Sequence, residues 1–400
     1  MNPPERGIAP WAAPVLAALT LSGCASLDYY WQSVSGHLEV MRAARSVDEW
    51  LADPKAEAPL KQRLLLARQL REFAVTQLHL PDEASYQRYA DIGRPYVVWN
   101  LVAAPELSLK ASTWCFPVAG CVAYRGYFRE ADARAFAASQ REAGLDVHVY
   151  GVPAYSTLGW MNWAGGDPLL SSFLHQGESE LARLLFHEMA HQVVYAKDDT
   201  SFNESFATAV ERIGLRQWQS RRATEPAGMG FDVAQRLGLD ALAETRRAEF
   251  RALILQTRAT LVKLYAALPV EPSFPAAPMG AGLPEGAAQG VSQAREAKRM
   301  AFQSMRERYE QLRAKWLQSA AQLAPGSALA QPASLLARDR WMQEVNNASL
   351  AAMASYDAWV PAFERLFEQE GRDWRRFYAA VRALAELPKE QREAALRALG

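Results

Sequence analysis

The chain has little cysteine, no net charge and no hydrophobic run long enough to cross a bilayer, and each scarcity closes off a class of protein. Its three cysteines cannot furnish a four-thiolate zinc module. Lysine plus arginine and aspartate plus glutamate both number 44, so no overall field draws in nucleic acid, and no nucleic-acid partner is expected. With only six histidines in 400 residues, any pair at metal-ligand spacing stands out. What the chain has in quantity is apolar side chains, 50% of its residues. That supports a globular protein with a sizeable core, and the length suggests two or three domains. No internal repeat is evident.

The pair that stands out is His187 and His191, in LARLLFHEMAHQVVYA. Glu178 and Glu180 supply acids at a helix start, Lys197 a cation at its end, and Leu181, Leu184, Leu185, Met189, Val193 and Val194 recur at helical spacing. On that helix the two imidazoles share one face and can converge on a single Zn2+, with Glu188 beside it as the base that takes a proton from water. A hydrolytic zinc needs a third protein ligand from another element. The next helix offers Glu204 and, two turns on, Glu211. Glu204 also fits a capping box with Ser201, and Glu211 could instead accept a hydrogen bond from a ligand histidine.

HExxH followed by Asn203-Glu204-Ser205-Phe206-Ala207 resembles the gluzincin peptidases, and the resemblance implies Glu204 as the third ligand. Two departures are visible: the His191 to Glu204 connection is shorter than in thermolysin-like enzymes, and Thr208 stands where those carry an acidic residue. There is also no G-x-M-E-N stretch of the kind large aminopeptidases use to hold a free amino group. A wider set of motifs comprises Trp114 to Cys121, Tyr124-Arg125-Gly126-Tyr127-Phe128, Tyr155 to Trp160, Asp167-Pro168, HEMAH and NESFA. Together these resemble the bacterial family described as "putative aminopeptidases", zincin-like proteins often made as lipoproteins, over nearly the whole mature chain. The resemblance implies a zinc metallopeptidase acting on peptide substrates. It also implies an α+β fold: a zincin-like mixed sheet packed on the HExxH helix, with helical cover before it and a helical C-terminal half.

At the N-terminus Arg6 opens a short charged region, residues 8–21 are largely apolar, and Leu21-Ser22-Gly23-Cys24 follows. This resembles the lipobox of bacterial lipoproteins, which implies a signal peptide over residues 1–23 and a lipid on Cys24. Such a lipid tethers the chain to a membrane in the cell envelope. Ala25 rather than Asp after the cysteine points to the periplasmic face of the outer membrane. Cys115 and Cys121, an even pair across a Pro/Gly turn in an oxidising compartment, read as a local disulfide, with two buried thiols as the alternative.

The remaining chain divides into a helical segment at 24–94, a catalytic core at 95–230 and a helical region at 231–400. Strands are expected at 96–103, 122–128, 145–152 and 155–160, with a helix at 129–143. Leu239 to Leu268 and Gln293 to Leu323 form a helical hairpin whose tip, Pro- and Gly-rich residues 269–292, reads as a flexible insertion. Leu261, Leu264 and Leu268 face Phe302, Met305, Tyr309 and Leu312, and residues 338–400 give two or three more helices. Tyr124, Arg125, Tyr127 and Tyr155 are candidate catalytic donors for a developing oxyanion. His37 and His79 read as structural or solvated, His148 and His175 as structural, and Asn346-Asn347 as a helix cap or a peptide-backbone ligand. Two rival functions share these features: a non-catalytic envelope scaffold and an amidase acting on peptidoglycan peptides.

Overall fold

The computed structural model describes residues 29–116, 120–157, 163, 165–224, 233–268 and 285–399. Cys24 and the signal segment lie outside them. A first helix, α1, spans residues 29–43. It is followed by β1 (Arg45–Ser46), α2 (Val47–Ala52), α3 (Ala58–Thr76), β2 (Arg88–Ala90) and β3 (Val98–Pro105). Then come β4 (Trp114–Phe116), β5 (Gly120–Val122), β6 (Arg125–Tyr127), α4 (Glu130–Glu142), β7 (Leu145–Val152) and β8 (Leu169–Leu170). Short α5 (Ser171–Leu174) precedes the paired helices α6 (Glu178–Ala190) and α7 (Thr200–Thr224). The rest is helical: α8 (Val233–Ala266), α9 (Glu285–Leu323), α10 (Leu336–Glu344), α11 (Asn347–Asp357), α12 (Val360–Gln369), α13 (Trp374–Glu386) and α14 (Lys389–Leu399).

In place of one mixed sheet, the described strands form three small sheets: antiparallel β6-β3-β7, the hairpin β4-β5, and β1-β2-β8, in which β2 runs parallel to β8. The expected strand at 122–128 is therefore two strands. Its first part is held to β4, with Cys121 opposite Cys115 and disulfide-bonded to it, whereas Arg125–Tyr127 pair with β3. Tyr155 to Thr157 are irregular rather than strand, and residues 158–160 lie outside the described set.

Strand alternation sorts the residues of the β6-β3-β7 sheet between two faces. Leu101 and Ala103 pack with Ala137 of α4, and Val102 and Ala104 with Ala348 of α11. The HExxH helix α6 packs along α7, and α7 in turn meets α11.

Helix α6 starts as expected after Gly177 but stops at Ala190, with His191 as its C-cap. Val193 is buried in the turn that follows, so its place in the apolar spacing reflects core contact rather than continued helix. Asn203 closes this turn, donating to the Ala196 carbonyl and accepting from the Ala196 amide, each at 2.8 Å. Asp199, not Ser201, caps α7 by accepting from Phe202 N. The other Asp199 oxygen pairs with Arg392 of α14 at 2.7 Å in a nearly dry setting.

In the C-terminal half, Leu261 packs with Phe302, Met305 and Tyr309, while Leu268 turns instead toward Leu107 and Val291. Helix α9 begins at Glu285, so residues 285–292 of the expected insertion are helical; residues 269–284 lie outside the described set. Helices α12 to α14 share one core with α3, α6 and α7, built around Phe202, Phe206, Phe363 and Phe377. The chain's end therefore braces the HExxH helix pair.

Gly214 sets how closely that pair approaches. A Cβ there would come within 2.7 Å of Leu78 and 2.9 Å of Phe186. Gly214→Val is expected to destabilise the protein by about 1–3 kcal/mol through overpacking, read as a lower denaturant midpoint with unchanged slope. An unchanged midpoint would mean that the two helices can separate freely.

Candidate metal centre and catalytic cavity

His187 and His191, one turn apart on α6, put their Nε2 atoms 3.3 Å and 3.9 Å from Oε2 of Glu204 on α7. One ligand atom from each of the three lies within 4.8 Å of the other two. Glu204 thus points at the histidines rather than back at the helix start. Glu211, two turns along α7, reaches the other side of the same ring: its Oε2 lies 3.3 Å from Nδ1 of His187. Its Oε1 accepts from buried Arg183 at 2.5 Å, and Arg183 is also paired with Glu244.

The electrostatics follow from this packing. Burial favours neutral imidazole at both histidines. At His187 the hydrogen bonds of Glu204 and Glu211 outweigh it and hold the ring's pKa well above the ordinary value, whereas burial takes His191 down to about 4. Burial works against Glu204 and Glu211 as charged groups, but their bonds to His187 keep both pKa values below the usual carboxylate value. At Glu188 burial is the largest influence, opposed by His187 and reinforced by Glu204, Asp167 and Glu211, and it raises the carboxyl to about 7.

These groups open onto a cavity of about 480 Å³. Its walls come from the pocket face of the sheet (Val98, Asn100, Gly126), the disulfide hairpin (Phe116, Val122), α1 (Tyr29, Tyr30, Ser33, His37), the segment after β7 (Ala154, Tyr155, Ser156), the two metal-site helices and the turn between them. The hairpin is tied to the turn after α6 by the Cys121 amide, which donates to Asp198 Oδ1 at 2.6 Å. Helix α1 is pinned to β6 by Gln32, which accepts from Phe128 N at 2.9 Å, and Gly36 lets it lie close against the Phe128 ring.

Of the four candidate donors, the structure brings Tyr124 and Tyr155 to this cavity, and burial raises the pKa of both phenols. Arg125 and Tyr127 are not among the residues that line it. They alternate with Gly126, so the residue facing the cavity has no side chain while its neighbours point to the α4 side. There the Arg125 guanidinium lies 4.0 Å over Tyr29 and 4.5 Å from the Phe136 ring, and Tyr127 is buried against Tyr29. Asn346 caps α11 in a capping box with Ser349, and Asn347 donates to the Glu106 carbonyl, so both amides serve the fold. His148 stacks on Tyr150, and His175 is an exposed C-cap of α5.

Two cavity residues have no sequence signal of their own. His37, an isolated histidine on a helix, places Nδ1 2.6 Å from the Tyr155 hydroxyl. Tyr195 lines the cavity from the turn after α6. Asp167 stands behind Tyr155, accepting from Thr157 N at 2.9 Å, and burial holds its carboxyl at about 6.

Fold and site together define an α+β protein whose two adjoining helices gather a His-His-Glu group that could hold a metal ion. The chain belongs to the family described as "putative aminopeptidase", whose model matches residues 28–396. That membership makes it a candidate peptidase with peptide substrates. No curated protein matches the chain, and neither does any solved structure.

Glu204 belongs to the group that could hold a metal ion, whereas Glu211 reaches the far ring nitrogen of His187. Glu204→Gln is expected to abolish metal retention during dialysis. Glu211→Gln, which leaves the donors in place but loosens the His187 ring, is expected to weaken metal affinity by roughly 10–100-fold in competition with a chelating dye. The opposite ranking would make Glu211 the donor.

Proposed function

We propose that the chain is a zinc-dependent peptidase of the gluzincin type with a zincin-like fold, held in the bacterial cell envelope by a lipid on Cys24. The observation that carries this reading is the convergence of His187, His191 and Glu204 beside Glu188 in one cavity. Two imidazoles, one carboxylate and open space next to them suit zinc, which in hydrolytic sites keeps a position free for water. The orphaned charge suits it as well: Glu188, Glu204 and Glu211 are buried together, and Arg183 answers only Glu211 among them.

Bound zinc supplies Lewis-acid polarisation and acidifies water. Glu188 takes the proton of the attacking water on its carboxylate and returns it to the departing amine, and a pKa lifted toward neutrality suits both transfers. Tyr124 and Tyr155 keep their protons at neutral pH and can donate to the oxygen on which charge develops. The aromatic wall of Tyr29, Phe116 and Phe128 favours apolar substrate side chains. Preference for amino ends follows from the family description. Among the described lining residues the acidic side chains are Glu188 and Glu204, so an amino terminus would be held close to the metal group itself.

Glu188→Gln is expected to keep one bound zinc and lose about 10²–10⁴-fold in kcat on a peptide library. Cleavage at the wild-type rate would remove Glu188 from the chemistry, and absence of zinc from the wild type would remove the site. Because the base must be ionised, kcat/KM should rise with pH. Its acidic limb should lie above the ordinary glutamate range and no higher than about 7, since a neighbouring cation lowers a carboxyl pKa. A limb absent in a pH series would contradict that role.

A further inference from the structure

Helix α1 has two working faces. Toward the protein, Tyr29, Tyr30, Ser33 and His37 line the cavity. On the other side stand Trp31, Val34 and Leu38, with 74%, 54% and 41% of their surface exposed. At helical pitch these three fall in one band about 60° wide. No charged residue interrupts the band, and exposed Arg42 borders it. A row of apolar side chains on one helix, with tryptophan the most exposed, marks a surface that something covers.

We propose that this face of α1 lies in the headgroup region of the membrane to which Cys24 is tethered, so that the catalytic cavity opens beside the lipid surface and takes peptides presented there. The proposal rests on the lipid tether of the reading above. Five peptide links join Cys24 to Tyr29, a reach of at most roughly 18 Å. The fifteen residues of α1 measure about 22 Å, so acyl chains on Cys24 would keep the helix within less than its own length of the bilayer. The row of Trp31, Val34 and Leu38 carries no charge, and the short tether favours the lipid surface as its partner over another protein. Tryptophan settles at the water–lipid boundary, and Arg42 at the margin of the band faces the phosphates. The bond from His37 to Tyr155 and that from Gln32 to Phe128 carry the helix's position directly to the cavity.

The test uses the full chain, as wild type and as Cys24→Ser, with vesicles of phosphatidylethanolamine and phosphatidylglycerol. Cys24→Ser is expected to sediment weakly with the vesicles. Adding Trp31→Glu and Leu38→Glu should cut the bound fraction about tenfold and leave zinc content and cleavage of a soluble peptide unchanged. Equal sedimentation of the two proteins, or sedimentation of neither, overturns the proposal even where Cys24 carries lipid. A dimer that the same two substitutions break, without vesicle binding, also overturns it by assigning the face to a second copy. Labelling with palmitate tests the tether separately: an unlabelled chain that still loses vesicle binding with Trp31→Glu and Leu38→Glu refutes the tether and supports the helix.

Discussion

Everything near the cavity depends on His187 being held at both ring nitrogens. Glu204 approaches Nε2 and Glu211 approaches Nδ1, and both glutamates ride on α7, two turns apart. For one helix to reach both sides of a ring on another, the pair must run close and in fixed register. A glycine at 214 allows the approach, with Phe186 and Leu78 filling the space a side chain would take. The arrangement buries more carboxylate than it answers with cations. Burying an unpaired charge costs several kcal/mol, so the protein meets the deficit with a proton on His187 or with a cation among Nε2 of both histidines and Glu204. The raised pKa of His187 is the mark of that demand.

The rest of the fold keeps this register. Asn203 closes the turn that returns the chain from α6 to α7, Asp199 caps α7 and anchors it to Arg392, and α12 and α13 pack phenylalanines against Phe206. The disulfide hairpin and α1 build the opposite wall. The asymmetry between the two histidines follows as well. His187 is oriented by a chain through Glu211, Arg183 and Glu244, whereas Nδ1 of His191 has no hydrogen-bond partner among the described residues. Its orientation depends on packing at the helix end.

How much of this could be read from the sequence varied with the range of the interactions. HEMAH was legible because metal geometry imposes a spacing within one helix, and local spacing survives in a string of letters; NESFA, on the next helix, was legible only through its resemblance to a known motif. The disulfide was legible because its two cysteines stand close together across a Pro/Gly turn. Arg125 and Tyr127 were misplaced because donor chemistry was visible but strand phase was not: Gly126, the residue without a side chain, takes the cavity-facing position. His37 and Tyr195 reach the cavity through tertiary packing, which leaves no local pattern. Residues 285–292 resembled a linker by their glycines, yet the alanines and glutamate among them are good helix formers, and packing of Val291 against Leu107 extends α9 through them. The single expected sheet became three because pairing partners are set by long-range contacts.

What sits among His187, His191 and Glu204 decides the chemistry of the cavity. X-ray absorption at the zinc edge of the purified protein tests this most directly. One zinc per chain is expected, with two imidazole nitrogens and light oxygen donors at about 2.0–2.2 Å. A protein purified without zinc, or a spectrum dominated by sulfur at about 2.3 Å, would contradict it.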